Sequence, residues 1–286
     1  MTVSKNLNST NSTIRLSAVQ LTSVPDIDQN LVAIEATLSQ LPTAQQHLVV
    51  LPECCLFFGG KDNEQLAVAK QYQIEMTKAL AKLAQQFKVY LVAGSIPVLS
   101  QEPEKFTNTS YIFSPEGEVL SQYDKIHLFD VEVADSSRHY LESTYTLAGD
   151  RVVTTQLPFA TIGQTICYDL RFPSLFQMLA NMGADVITVP AAFTKLTGQA
   201  HWLPLLQARA IENQVYIVAA AQYGTHKNGR ETWGQSVIID PWGEILATCA
   251  PTETAISVEI TLEKLANIRQ KMPVHSHNQF KTELKN

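Results

Sequence analysis

The chain has 286 residues, 45% of them hydrophobic and 17% charged, which is enough apolar side chain for one large folded unit and argues against disorder. With 21 basic and 27 acidic residues the formal charge is −6, so no cationic surplus exists to neutralise nucleic-acid phosphates or an anionic membrane surface. The patterns G-x-G-x-x-G, G-x-x-x-x-G-K-[ST] and G-x-S-x-G are absent, which removes the common nucleotide-loop and serine-hydrolase signatures.

Residues 1–13, MTVSKNLNSTNST, are polar and lack an apolar segment; they predict a disordered tail and no signal peptide. Ile14 to Ala18 alternates as a strand does. Leu31, Ile34, Leu38 and Leu41 recur at helical spacing, with Asp28 available as N-cap. Leu48 to Leu51 reads as a buried strand, Met76 to Phe87 as a second amphipathic helix and Val89 to Ala93 as another strand. Thr109 to Phe113 and Val119 to Tyr123 flank the turn signal Ser114-Pro115-Glu116-Gly117.

The same order then recurs. Thr161 to Ile166 is a strand, Pro173 suits the first position of a helix running towards Met182, and Asp185 to Val189 is a strand. A helix over His201 to Asn213, a strand over Val215 to Ala221 and a hairpin around Asp240-Pro241-Trp242-Gly243 complete the half. The hairpins also match in sequence: Tyr111 to Leu120 aligns with Val237 to Leu246, with Ile, Pro, Gly, Glu and Leu shared. Two mixed sheets related by an internal pseudo-twofold, packed face to face with helices outside, are expected: an α/β fold built as a four-layer α-β-β-α sandwich. The sandwich spans residues 14–260 as one domain, and residues 261–286 form a C-terminal arm that packs either on a neighbouring subunit or back on its own domain. The longest apolar run, Val215 to Ala221, falls far below the ~20 residues that cross a bilayer. Four cysteines in a chain of this length favour a reducing, cytoplasmic setting over a disulfide framework.

In parallel sheets with outer helices, ligands gather beyond the carboxyl ends of the strands. Glu53, Lys125 and Cys167 fall at three such ends. Cys167 precedes the helix start at Pro173, where the positive end of the helix favours a thiolate. Glu53 could take its proton, and Lys125 could stabilise the oxyanion formed when sulfur attacks a carbonyl. Each of the three also reads as an ordinary buried thiol or solvated charge. A Cys–His pairing through His127, His201 or His226 is the competing chemistry, although no cysteine lies in a papain-like C-G-[SA]-C-[WY] context.

The segments Leu51-Pro52-Glu53-Cys54, Tyr123-Asp124-Lys125-Ile126-His127 and Ile166-Cys167-Tyr168-Asp169-Leu170-Arg171-Phe172-Pro173 resemble the three signature regions of the nitrilase (carbon–nitrogen hydrolase) superfamily. The resemblance extends through Leu141-Glu142-Ser143, Pro190 to Thr194 and Ala208 to Asn213, and covers most of Arg15 to Pro273 in order. It implies the same sandwich fold, with Glu53 as general base, Lys125 as oxyanion-stabilising cation, Cys167 as nucleophile and Glu142 as a second glutamate that orients Lys125. It also implies no metal or organic cofactor, and a homodimer or larger homo-oligomer. The backbone N–H of Tyr168 is a candidate second oxyanion donor, and Phe193 and Thr194, with Phe57 and Phe58, are candidate substrate-pocket wall. Asp169 and Arg171 are expected to buttress the nucleophile turn, and Arg230 or Lys195 to meet a substrate carboxylate. Ser174, where the family often has Glu, and Asp124, where it often has Arg, depart from the pattern. The short form of the cysteine motif resembles the small-amide branch, which includes omega-amidase and deaminated glutathione amidase. The resemblance therefore implies hydrolysis of the terminal carboxamide of a small carboxylate to acid and ammonia through a thioester, with deaminated glutathione the favoured substrate; an omega-amidase acting on alpha-ketoglutaramate, or a catalytically silent scaffold of the same fold, is the alternative.

Overall fold

The computed structural model describes residues 13–61, 63–134, 139–252 and 254–285; the first twelve residues of the expected N-terminal tail lie outside them. The first half runs β1 (Ile14–Val19), α1 (Ile27–Ser39), β2 (His47–Val50), α2 (Glu64–Phe87), β3 (Tyr90–Val92), β4 (Ile96–Leu99), β5 (Phe106–Phe113) and β6 (Val119–Asp124). A small hairpin, β7 (Asp130–Glu132) and β8 (His139–Leu141), leads to the second half. There β9 (Thr154–Gln156) and β10 (Thr161–Gln164) are followed by a 3-10 turn over Cys167–Arg171 and by α3 (Pro173–Asn181). Next come β11 (Val186–Ala191), α4 (Lys195–Asn213) and β12 (Tyr216–Ala221), then a hairpin of β13 (Tyr223–Thr225) and β14 (Glu231–Trp233). The chain finishes with β15 (Val237–Ile239), β16 (Ile245–Thr248), β17 (Ala255–Ile260), α5 (Leu262–Lys271) and α6 (Val274–His277).

One sheet has the order β17-β1-β2-β3-β5-β4, with β6 also paired to β5; the other has the order β16-β15-β12-β11-β10-β9. In the first, β1, β2 and β3 are parallel, β5 runs antiparallel to β3, and β6 runs antiparallel to β5 and so returns to the direction of β1–β3. In the second, β10, β11 and β12 are parallel, with β15 and β16 antiparallel beside them. The two halves thus repeat one topology, as the matched hairpins require.

Strand residues alternate between two cores because successive side chains point to opposite faces. Leu16, Leu48, Val50 and Ile112 meet Ile162, Val186, Val218 and Ile238 between the sheets. Val49, Leu51, Leu91 and Phe113 face outward onto Ile34 and Leu38 of α1 and Met76 and Leu80 of α2. Ile187, Val189, Ile217 and Ala219 do the same against α3 and α4, through Phe176, Leu179, Trp202 and Leu206. These three cores make the four layers. Among the described residues, no helix is long and apolar enough to cross a membrane.

Several boundaries differ from the sequence expectation. The N-cap of α1 is Asp26, whose side chain accepts from the N–H of Gln29, and Asp28 lies inside the first turn. Helix α2 begins at Glu64, twelve residues before the Met76 stripe. Helix α4 begins at Lys195, because Thr194 caps it and Pro204 is accommodated in its interior despite the missing N–H. Strand β17 carries an alternating Ile256, Val258, Ile260 pattern and returns the chain to the first sheet, pairing antiparallel with β1.

Helix α5 of the C-terminal segment packs on its own chain. The Arg269 guanidinium reaches Asp185 at 3.2 Å, the carbonyl of Ala184 at 2.7 Å and that of Gln214 at 3.1 Å. Leu265 enters the core between the sheets. We predict that Leu265→Ala lowers the free energy of unfolding by about 2–4 kcal/mol. Phe280→Ala, at an exposed position of the same segment, changes it by less than about 0.5 kcal/mol. Urea denaturation of the two variants checks both values.

Candidate active site

Glu53, Lys125 and Cys167, 72 and 42 residues apart in sequence, meet in one cavity of about 130 Å³. Glu53 follows β2, Lys125 follows β6, and Cys167 opens the 3-10 turn after β10, so strands of both sheets deliver the cluster. Two close approaches fix the first two. A Cβ on Gly94 would lie 1.9 Å from the carbonyl oxygen of Pro52, and Gly94 has φ +54°. A Cβ on Gly149 would lie 2.1 Å from the carbonyl oxygen of Asp124. Only glycine allows either backbone to pass this near the residue before Glu53 or Lys125.

The Lys125 ammonium, 2% exposed, donates to Glu53 Oε1 at 2.9 Å and to Glu142 Oε1 and Oε2 at 3.0 and 2.9 Å. Glu142 Oε2 also accepts from the N–H of Phe129 at 2.7 Å. Asn108 Nδ2 donates to Glu53 Oε1 at 3.0 Å and to Glu142 Oε1 at 3.5 Å. Burial alone would raise the Glu53 carboxyl, but the Lys125 charge, with hydrogen bonds from Lys125 and the Cys167 thiol, holds it below its ordinary value. Burial likewise pulls Lys125 down, and Glu142 and Glu53 outweigh it, so its ammonium persists well above the usual lysine range.

Cys167 departs from one expectation. Burial and the adjacent Glu53 carboxylate raise its thiol well above the usual range, and the opposing pull of Lys125 and of the Ala192 N–H is smaller. Burial and the neighbouring carboxylate thus favour a protonated sulfur beside Glu53 over a thiolate held by the start of α3. Its backbone has φ +49°, a left-handed conformation that costs a non-glycine residue about 1 kcal/mol or more and turns the side chain into the cavity.

Asp169 holds that turn. Fully buried, it accepts from the Ile166 N–H at 2.9 Å, the Tyr123 hydroxyl at 2.7 Å and the His127 N–H at 3.1 Å, and its carboxylate also meets His127 Nδ1 at 2.7 Å. Arg171 was expected to share this work but does not. Its guanidinium contacts His201 Nδ1 at 3.3 Å and lies over the rings of Phe193 and Tyr168, on the cavity wall. Glu142, Phe193, Thr194 and Phe58 line the cavity as expected, while Phe57 packs against the core between the first sheet and helices α1 and α2. Tyr168, expected to offer its N–H to substrate, is not among the residues that line the cavity, and its ring packs against Phe129 and Phe172. Lys195 is exposed and paired with Glu231 at 2.8 Å, whereas Arg230 lines the cavity. None of the three histidines considered as bases bonds to the thiol: His127 is taken by Asp169, His201 by Arg171, and His226 by Ser23 and Thr232.

Asn108 is the site residue that sequence reading missed. Its one signal is a carboxamide in the middle of a wholly buried strand, β5, where a side chain that can donate must find an acceptor. Cys54 also lines the cavity; with φ +53° its N–H donates to Ser95 Oγ at 2.9 Å, and burial raises its thiol well above the usual range.

A thiol beside an ionised carboxylate and a permanent ammonium, in a cavity open to small molecules, is a site for thiol-mediated acyl transfer. Residues 15–270 match the carbon–nitrogen hydrolase family, and the chain belongs to that family. It is 40% identical over 267 residues to a deaminated glutathione amidase of Yersinia enterocolitica, covering 93% of each chain. It is 37% identical to omega-amidase NIT2-B of Xenopus laevis, covering 91% of this chain and 93% of that one. The NitFhit protein of C. elegans, as a crystal structure, superposes with a TM-score of 0.89 at 33% identity, over 96% of this chain and 68% of that one. The chain is an amidase-type hydrolase with the sandwich fold of its family.

Asp169→Asn keeps one acceptor oxygen and converts the other into a donor facing donors. We predict a loss of about 2–4 kcal/mol in stability, read as a lower melting temperature, together with a fall in kcat. An unchanged melting temperature means that the turn is held by something else.

Proposed function

We propose that Cys167 is the nucleophile of an amidase that cleaves an amide of a small carboxylate through a thioester, with Glu53 as general base and acid and Lys125 as oxyanion cation. The carrying observation is that Cys167, Glu53, Lys125 and Glu142 line one cavity, with Lys125 held by both glutamates. The sulfur attacks the carbonyl carbon as its proton passes to Glu53. The carbonyl electron pair moves onto oxygen, which the Lys125 ammonium and the Tyr168 N–H receive. As the C–N bond breaks, protonated Glu53 returns the proton to the leaving nitrogen. Water then enters, gives a proton to Glu53 and attacks the thioester carbon; the acid is released and the thiol restored. Glu142 does not touch the reacting atoms in this scheme. Gripping Lys125 with both oxygens, it keeps the ammonium charged and aimed, so it is a positioning residue.

Deaminated glutathione is the preferred substrate in this reading, supported by the named relative at 40% identity. Its scissile amide is secondary, so the released group is a peptide amine; ammonia, the expected product for a terminal carboxamide, is released only from a primary amide. Hydrolysis of alpha-ketoglutaramate, the omega-amidase reading, is supported by the relative at 37% identity. Phe193 and Thr194 serve as cavity wall in either case. The homo-oligomeric, cytoplasmic, cofactor-independent enzyme implied by the family resemblance belongs to the same proposal.

Incubation with deaminated glutathione followed by acid quenching and mass spectrometry should find the acyl group on the peptide bearing Cys167. Cys167→Ala should abolish turnover with the fold retained, and Glu53→Gln should lower kcat by about 10²–10⁴-fold. An acyl group on any other residue, or turnover by Cys167→Ala, refutes the assignment. The pH profile carries a sign. Glu53 must be ionised and titrates below its ordinary 4.5, so kcat/KM should stay level from neutrality past pH 4.5 and fall only below it. A break near neutral pH would place an imidazole in the role of base.

A further inference from the structure

The charges around the cavity do not balance, and the imbalance has a direction. The acidic residues lining it, Glu53 and Glu142, both hold Lys125. Arg171 and Arg230 line it as well, and among the described residues neither pairs with a carboxylate. Both guanidiniums are held by neutral partners instead. Arg230 lies over the rings of Phe58 and Tyr140, 5.1 and 4.9 Å from their centroids, and donates to the Ala192 carbonyl at 3.4 Å. Its Nε is buried with no hydrogen-bond partner. Arg171 lies over Phe193, 5.2 Å from the centroid, and over Tyr168 at 5.9 Å. Aromatic faces orient a guanidinium while leaving its edge donors and its charge for a ligand. Lys61, exposed at the rim, lacks such support.

We infer that Arg171 and Arg230 read two separate carboxylates of one substrate, so that the site takes amides with a carboxylate on each side of the scissile bond. This rests on the amidase reading and deepens it. Two planar forks held on different aromatic supports are suited to two anionic ends, whereas a substrate with one carboxylate leaves a desolvated cation without a partner. Deaminated glutathione belongs to the two-carboxylate class, with one on its acyl side and one on its leaving group. Alpha-ketoglutaramate has only the acyl-side carboxylate.

The test is steady-state kinetics of the full chain, Arg171→Gln and Arg230→Gln on three probes: deaminated glutathione, alpha-ketoglutaramate and uncharged butyramide. Each substitution should raise KM for deaminated glutathione by about 10-fold or more with kcat changed far less, the usual size for a lost charge-assisted hydrogen bond. One variant should raise KM for alpha-ketoglutaramate too, and the other should not. Butyramide, which offers no carboxylate, should show a much smaller change in KM in both, and unchanged melting temperatures show that the variants are folded. Arg→Lys at each position should recover part of the loss. KM values that do not move, or two variants with the same effect on both carboxylates, overturn the inference while leaving the amidase reading intact. Failure of the unsubstituted enzyme to hydrolyse any of the three counts against the amidase reading itself.

Discussion

A lysine ammonium buried between two glutamates sets the terms for everything around it. Bringing Lys125, Glu53 and Glu142 out of water is costly, and the three contacts within 3.0 Å offset that cost only while all three groups are present. Because two carboxylates share one cation, the cluster has excess negative charge. Burial and the adjacent Glu53 carboxylate keep the proton on the Cys167 thiol, and the same carboxylate gives that proton a short route when a carbonyl accepts the sulfur. The site is a thiol with a base in contact, not a stored thiolate.

The fold makes this cluster possible by placing one member of the Glu–Lys–Cys set after each of three strands, with the two sheets ending at a common cavity. Gly94 and Gly149 let backbone pass close to Glu53 and Lys125, Asp169 fixes the nucleophile turn from behind, and Asn108 joins the two glutamates. Of these, Asn108 lines the cavity, and Gly94, Gly149 and Asp169 lie behind it. They hold the distances on which proton transfer depends. The inner cluster is closed on itself, while the outer arginines are open to ligand, which separates the chemistry from substrate selection.

Periodicity revealed the strands and helices of both halves, and the Tyr111 and Val237 hairpins revealed their repetition, because these features are set by local apolar spacing. The three-strand-end placement of Glu53, Lys125 and Cys167 was visible for the same reason. Their contact was not, since it depends on sheet-on-sheet packing across 114 residues of sequence between Glu53 and Cys167. The start of α4 was hidden because Pro204 looks like a stop signal, and Asp26 and Asp28 compete equally well for a cap when only the sequence is known. The protonation of Cys167 was misjudged because a helix end can be read from a proline, whereas burial beside an anion cannot. That Lys195 pairs with Glu231 while Arg230 lines the cavity depends on the β13–β14 hairpin and is not written in local sequence.

The location of one proton tests this account most directly. Thiolate absorbance in the ultraviolet, measured as the difference between the unsubstituted protein and Cys167→Ala from neutral to alkaline pH, reports it without substrate. The account predicts no Cys167 thiolate band at neutral pH, with absorbance emerging only well above the ordinary thiol range. A full thiolate band at neutrality would contradict it, because burial and the Glu53 carboxylate would then not be keeping the sulfur protonated.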